Sequence, residues 1–321
     1  MTQLYPLLLQ PALHLRVWGG RRLETVLHKT LPTNEPYGES WEMHDTATIA
    51  NGTLAGKTVG EALSIYGTAL CGQNNDPALG MPLLAKFLDA ADWLSVQVHP
   101  DDAQAQQYDG EPRGKTEAWY VVSAEPGAKL VIGVRPGTPH EEIAQAIRSN
   151  TLEELLVYAE VKAGDVLYVA AGTIHALGPG ILVYEIQQSS DLTYRLYDWG
   201  RMGLDGKPRQ LHIEKGIAVS NTSSLPTIHH TGGDESAEVE IVRGPFFVTV
   251  LHQLNPQNGE TIQLNTDERI FHILTCISGS AAIEHDEGKV DLAEGQTVLI
   301  PAALGQYAIH GTAKVLRSWE P

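Results

Sequence analysis

Cysteine is nearly absent. The two present among 321 residues, Cys71 and Cys276, stand far apart and form no paired metal or redox motif. That excludes a disulfide scaffold and makes a reducing, cytoplasmic setting the expectation. Basic residues are scarce as well: 22 Lys+Arg face 39 Asp+Glu, for a formal net charge of −17. A duplex nucleic-acid binder needs a concentrated basic face, so that class drops out. A small anionic substrate does not, because a few cations in a cleft outweigh the global field locally. No apolar run approaches the roughly 18–20 residues of a membrane helix, so no membrane partner is expected. The opening MTQLYPLLLQPALH lacks a basic segment and a small-residue cleavage site, so no secretory leader is expected either.

What is present points to a folded, mostly β chain. Hydrophobic residues reach 42%, enough for a substantial core, and the length suits about two domains. Glycine (31) and proline (18) punctuate short β-branched and aromatic runs. LSVQVH, EAWYVVS, KLVIGV, DVLYVAAG, ILVYEIQ, FFVTVLH, FHILTCIS, AAIEH and TVLIPA all read as strands. Helical periodicity is confined to residues 59–70, 82–89 and PHEEIAQAIRSN from Pro139, whose proline and two acids suit a helix start.

The polar, turn-rich stretch 220–238 marks a boundary between domains 1–220 and 221–321. The second carries 5 Lys/Arg against 13 Asp/Glu and reads as a supporting β domain. An internal repeat links the two. Gly164 is followed by five residues and then A-A-G-T-I-H, ending at His175; Gly295 is followed by five and then P-A-A-L-G-Q, ending at Gln306. Both resemble the second half of the cupin signature, G-x5-P-x-G-x-x-H. The resemblance implies two antiparallel jelly-roll barrels with helical additions in the N-terminal part, only the first keeping a metal-ligand histidine. His272 and His285, which match no ligand pattern, read as solvated or edge residues.

In LSVQVH, alternation puts Ser95, Gln97 and His99 on one strand face and Leu94, Val96 and Val98 on the other. A Ser/Gln/His face is costly to bury unless something binds it, and otherwise faces water. K-T-E-A-W-Y opens another strand with Lys115, Glu117 and Trp119 on one face, and His175 closes the repeat unit. A jelly roll gathers such strand ends at one barrel mouth. Gln97, His99, Glu117 and His175 then converge as nitrogen and carboxylate ligands suited to zinc, with open positions for catalysis. The plainer alternative pairs Glu117 with Lys115 and leaves His175 a packed core residue. Beyond Glu185, the stretch D-L-T-Y-R-L-Y-D-W-G-R from Asp191 interleaves arginines with aromatics. It suits either a sugar-phosphate lining, where arginine contacts oxyanions in pairs, or a solvated edge strand.

Together L-S-V-Q-V-H-P-D-D, G-K-T-E-A-W-Y, G-T-I-H-A-L and Y-R-L-Y-D-W-G-R resemble type I phosphomannose isomerases. W-G-G at Trp18, G-E-S-W-E at Gly38 and P-L-L-A-K-F-L-D-A at Pro82 extend the likeness over residues 14–215, in the manner of the short bacterial form. The resemblance implies an isomerase that interconverts mannose 6-phosphate and fructose 6-phosphate through a cis-enediolate. It implies one zinc per chain on Gln97, His99, Glu117 and His175, with Gln97 the poorest donor. It places the catalytic arginine at Arg195 and polar active-site groups at Lys115, Glu185 and Asp191. Ser95 and Ser40 carry hydroxyls suited to sugar or phosphate. Glu185 stands first as the base, ahead of Lys115 and a zinc-held hydroxide, and the sequence does not choose among them. The expected partner is a small sugar phosphate, and the chain a monomer or weak homo-oligomer. Two rivals stay open: an iron dioxygenase on His99, Glu117 and His175, and a non-catalytic sugar-phosphate sensor. Against the first, the cupin H-x-H-x3–4-E spacing is replaced by Q-x-H and a glutamate 18 residues on.

Overall fold

The computed structural model describes residues 3–231, 236–255, 261–286 and 288–321. Its strands form a seven-stranded sheet, a nine-stranded sheet and two small sheets of three and two strands, all with antiparallel ladders. The mainly β, jelly-roll reading therefore holds. At the centre of the seven-stranded sheet run Leu83–Ala90, Ile181–Gln188 and Glu117–Ala124, in that order. Asp165–Val169 and Ile228–His230 extend one side; Ala12–Gly20 and Tyr37–Met43 extend the other.

Residues 82–89 are the one stretch whose expected helix is overturned: Leu83–Ala90 is a strand buried along its whole length. A run apolar on both faces carries no clean period, so a buried central strand and a helix read alike. Helices do form at Val59–Tyr66, followed by Thr68–Cys71, and at His140–Arg148 with Pro139 as its N-cap. The segments FHILTCIS and AAIEH belong to one long strand, His272–His285.

Each face of the seven-stranded sheet has a different task. On one, Leu88, Trp119, Val121 and Val183 pack against Leu130 and Leu177 of the three-stranded sheet. On the other, Phe87, Tyr120 and Tyr184 meet Leu251, Ile273 and Leu316 of the nine-stranded sheet. Side-chain alternation thus sends odd positions of 117–122 and of Ile181–Gln188 to the front and even ones to the back, until a bulge at Val122 shifts the end of the first strand and brings Ala124 to the front.

The nine-stranded sheet is built chiefly from the C-terminal segment, but it is completed by Leu7–Gln10 and Thr48–Ile49. Leu7 pairs with Leu299 and Leu9 with Thr297. Strands from both sides of the expected 220/221 division therefore share this sheet. Of the boundary stretch 220–238, residues 232–235 lie outside the described residues, and Ile228–His230 pairs with Asp165–Val169. The internal repeat is realised in three dimensions. Gly164 (φ 88°) and Gly295 (φ 77°) each make the left-handed turn into a strand, Asp165–Val169 and Thr297–Ile300. Only a residue without Cβ enters that region without strain.

Between the two large sheets lies a polar seam. The fully buried Glu42 takes the Lys29 ammonium at 2.7 Å and the Ser40 hydroxyl at 2.6 Å. Lys29 also donates to the Gly295 carbonyl at 2.6 Å. Burial raises the Glu42 pKa, opposed chiefly by Lys29. Removing one partner of a buried pair strands the other charge, a loss of ~3–5 kcal/mol. Lys29→Met should therefore lower unfolding stability by about that amount at neutral pH, measured by urea denaturation, whereas Lys29→Met with Glu42→Leu should recover most of it. A double variant as unstable as the single one would assign the loss to packing instead of charge.

Candidate active site

The front face of the sheet ends in a cavity of about 590 Å³, within the range of small-molecule sites. Its wall includes Ser95, Gln97, Lys115, Glu185, Asp191 and Arg195, six of the residues expected from sequence. Below that wall, and fully or nearly fully buried, lie His99, Glu117 and His175. Their ligand atoms all fall within 4.8 Å of one another.

Three local features bring these groups together. Val96–Val98 lies between the chain at His175 and Tyr194–Tyr197: Gln97 exchanges backbone hydrogen bonds with His175 at 3.0 and 2.9 Å, and registers opposite Arg195. After His99 the chain turns at Pro100. Asp101 caps the helix Asp102–Asp109 by accepting from Gln104 N–H, and the Gln104 side chain accepts from Asp101 N–H in return. The Lys115 N–H then donates to the Pro100 carbonyl at 2.9 Å, which sets the lysine beside His99. Gly114 permits this approach, since a Cβ there would lie 2.4 Å from the Asp101 carbonyl carbon.

The imidazoles are held by their outer nitrogens. His99 Nδ1 lies 2.7 Å from the Leu192 carbonyl and His175 Nδ1 2.9 Å from the Thr173 carbonyl, so each Nδ1–H donates to backbone. Both Nε2 atoms are thereby left as acceptors aimed at Glu117, at 3.6 and 3.2 Å. Backbone acceptors of this kind commonly orient histidine ligands. Both Glu117 carboxylate oxygens are buried without a hydrogen-bond partner, though the Lys115 ammonium lies 2.5 Å from Oε2. Burial pushes the Glu117 pKa up, but the Lys115 ammonium outweighs it and holds the carboxyl well below its ordinary value. Burial, then Lys115, drives His99 far down, so this imidazole is neutral. Two imidazoles held through their outer nitrogens and a buried carboxylate fit a divalent cation such as zinc. Gln97 fits less well. Its amide oxygen accepts from Ser95 at 3.2 Å and its nitrogen faces His175 Nε2 at 3.3 Å, so ligation requires the amide to turn over.

Next to the cluster, Glu185 is clamped from three sides. Lys86 lies 3.0 Å from Oε1, Lys115 3.7 Å from the same oxygen, and Trp119 Nε1–H donates to Oε2 at 2.7 Å. Lys86 and its neighbour Glu39 were not singled out by the sequence reasoning. Both line the cavity with Arg16, Arg209 and His212. Burial disfavours the Lys86 charge, yet Glu185 and Glu39 outweigh it and raise its pKa. Glu39 accepts from Arg16 at 2.8 and 3.0 Å and from Trp41 Nε1 at 2.7 Å. Against the cost of burial, Lys86 and Arg16 hold its pKa down to about 2. One signal for Lys86 was available: a lone lysine inside the apolar run L-L-A-K-F-L is rarely buried without a partner.

Arg195 closes the upper wall, donating to Ser95 Oγ at 3.2 Å and to the Gln210 carbonyl at 2.9 Å. Burial, then Arg209, lowers its pKa. Asp198, expected only as part of a basic and aromatic run, anchors that wall by pairing with Arg201 at 3.0 Å and with Arg209. Ser40 is the sequence-expected residue that the structure sends elsewhere. Its side chain is fully buried on the back of the sheet, bonded to Glu42 in the polar seam, and it does not line the cavity. Glu39 and Trp41, its immediate neighbours, face the front; one step along a strand reverses the side.

Comparison with known proteins agrees with this arrangement. Residues 7–121 match the family described as Phosphomannose isomerase type I, catalytic domain, and residues 239–320 match the Mannose-6-phosphate isomerase, cupin domain. The chain is 34% identical to a mannose-6-phosphate isomerase of Streptococcus mutans over 98% of both chains. Against mannose-6-phosphate isomerase ManA of Bacillus subtilis the identity is 33%, again over 98% of each. The crystal structure of a mannose 6-phosphate isomerase from Bacillus subtilis superposes with a TM-score of 0.88 at 31% identity, covering 98% of this chain and 99% of that one. With the cavity, its buried His/Glu/His cluster and full-length similarity in hand, the chain belongs to the type I phosphomannose isomerases, a family of mannose-6-phosphate isomerases.

Proposed function

We propose that this isomerase interconverts mannose 6-phosphate and fructose 6-phosphate with one zinc ion per chain, through a cis-enediolate, as a cytoplasmic monomer or weak homo-oligomer. The observation that carries the reading is the His99/Glu117/His175 cluster at the foot of a cavity rich in cations. His99, Glu117 and His175 would hold the metal, with Gln97 at its edge. When bound, zinc supplies Lewis-acid polarisation of the sugar oxygens.

The remaining chemistry falls to the chain's own residues. A sugar phosphate enters a protein of net charge −17, so the local cations Arg16, Lys86, Lys115, Arg195 and Arg209 must draw it in. Moving the carbonyl between C1 and C2 requires one carbon proton to leave and another to return. Glu185 is the proton carrier in this reading, at the cavity wall beside the metal cluster. Lys86 and Lys115, both against its Oε1, steady its charge and offer N–H donors toward the sugar oxygens. Arg195, preorganised by Ser95 and Gln210, stabilises the negative charge of the enediolate. Asp191 and Ser95 line the same cavity and accept or donate to sugar hydroxyls. The two domains divide the work, with 1–220 carrying the chemistry and 221–321 supporting it from behind.

Metal analysis of purified protein is the decisive test. Wild type should carry one zinc per chain, and His99→Ala, Glu117→Gln or His175→Ala should each lose metal and turnover together. Gln97→Ala should keep most of its zinc. Stoichiometric zinc and full turnover in His99→Ala would remove the cluster from the mechanism.

Steady-state kinetics separate the two anion roles open to Arg195. Arg195→Lys should lower kcat and kcat/KM in similar proportion while zinc stays bound, because an ammonium lacks the planar fork. Loss of one preorganised donor typically costs ~10²–10³ in kcat. A raised KM with unchanged kcat would make Arg195 a phosphate grip. Glu185→Gln should lose about 10²–10⁴ in kcat with metal retained, the range of general acid–base catalysis. Wild-type turnover in that variant would pass the proton to Lys115.

A further inference from the structure

His272, expected at a solvated edge, is instead buried in the C-terminal barrel, where the Tyr307 hydroxyl lies 2.8 Å from its Nδ1. That nitrogen is satisfied within the fold. Donors left without a partner are found in the catalytic cavity, and they are not spread evenly over its lining.

Three cations of that lining each face a carboxylate. Arg16 is paired with Glu39 at 2.8 Å, Lys86 with Glu185 at 3.0 Å and Lys115 with Glu117 at 2.5 Å. Arg16 has no idle nitrogen: Nε and Nη2 donate to Glu39, and Nη1 donates to the Leu15 carbonyl at 3.1 Å. The segment 195–212 differs. Arg195 donates to a hydroxyl and a carbonyl instead of a carboxylate. Arg209 engages Asp198 through Nε and Nη2, and its Nη1 has no partner among the described residues. After burial, Arg209 does most to lower the Arg195 pKa, ahead of the opposing Asp198, so cations prevail locally.

His212 is set by Arg195. Its backbone N–H donates to the Arg195 carbonyl at 2.8 Å, and its Nδ1 accepts from the Arg195 N–H at 3.2 Å. Burial, then Arg195, lowers the His212 pKa, so the ring is neutral at pH 7. A neutral imidazole whose Nδ1 accepts carries its proton on Nε2. That Nε2–H has no partner among the described residues, and His212 lines the cavity. The contacts also give this wall an order. Gln97, at the edge of the metal cluster, accepts from Ser95, Ser95 accepts from Arg195, and Arg195 holds His212. His212 is thus one contact farther from the cluster than Arg195. An enzyme that works at C1 and C2 needs its phosphate grip toward the other end of the sugar, at C6.

We propose that Arg209 Nη1 and the His212 Nε2–H grip the phosphate of the sugar phosphate, leaving Arg195 to the reacting end. The inference rests on the reaction proposed above. Such donors hold the dianion in ground and transition states alike, so they set KM and leave kcat. The acid of the same rim, Asp205, is exposed and turned to its own loop, its Oδ1 accepting from the Lys207 N–H at 3.0 Å.

Inorganic phosphate is the probe, because its binding is read without turnover. Calorimetry with the full chain should show phosphate affinity falling roughly 10–100-fold in Arg209→Met, the range for a lost hydrogen bond to a charged group. It should fall severalfold in His212→Asn, whose amide oxygen can still accept from the Arg195 N–H. In steady-state kinetics both variants should raise KM for mannose 6-phosphate, with kcat within about twofold of wild type. Unchanged phosphate affinity in both variants, or a lowered kcat at unchanged KM, overturns the grip. Affinity that falls as expected in a protein that does not turn over mannose 6-phosphate supports the grip and overturns the reaction alone. If Arg209→Met does not fold, Arg209→Lys keeps a cation against Asp198 but has no second nitrogen to offer. Wild-type phosphate affinity in that variant overturns the proposal equally.

Discussion

The buried negative charge of Glu117 is the constraint on which the front of this molecule depends. A carboxylate with no exposure is tolerated only if surrounding groups offset its desolvation. Here the Lys115 ammonium, two residues upstream, supplies that charge, and His99 from beyond a helix and His175 from a different turn close around the same carboxylate. Each is fixed in turn by something that cannot easily move. Carbonyls of Leu192 and Thr173 set the ring orientations, and the close packing of Gly114 against Asp101 sets the lysine. Compensation of one charge therefore organises an entire barrel mouth. The same arrangement leaves two Nε2 acceptors and two carboxylate oxygens facing one point, which is why a cation fits there.

A single sheet connects the site with the rest of the fold. Glu185 and Tyr184 are neighbours on one strand, the first in the cavity and the second bonded to Ser318 behind it at 3.2 Å. Lys86 and Phe87 divide in the same way. The strands that carry polar active-site groups on the front are held from the back by apolar packing against the nine-stranded sheet. The Lys29–Glu42 pair interrupts that packing with charge and ties the early chain to Gly295. The N-terminal strand Leu7–Gln10 reinforces the tie by pairing with Thr297–Ile300.

The two barrels show how one architecture is kept while its chemistry diverges. Gly164 and Gly295 donate their N–H to Val121 and Cys276, each at 2.8 Å, in corresponding turns. In the first barrel the turn leads on to His175, buried in the cluster; in the second it leads to Gln306, exposed at the start of a strand. The second barrel has no His/Glu/His arrangement among its described residues.

Much of the fold and of the site was legible in the residues alone, because a strand's alternation is a local property. Ser95/Gln97/His99 and Lys115/Glu117/Trp119 share faces whatever surrounds them, and the repeated glycine turn needs no tertiary context. Motif resemblance then added Arg195, Glu185 and Asp191, all of which line the cavity. Other matters were decided only in three dimensions. Residues 82–89 became a central strand because both their faces are covered, a fact no period within eight residues records. That same covering places Lys86 against Glu185. Ser40 went to the back because a strand's facing depends on which sheet it joins. His272 went inside for the same reason, beside an arginine 45 positions away whose approach depends on strand register. Local alternation is written in the chain, but which face becomes the inside is set by the partner that covers it.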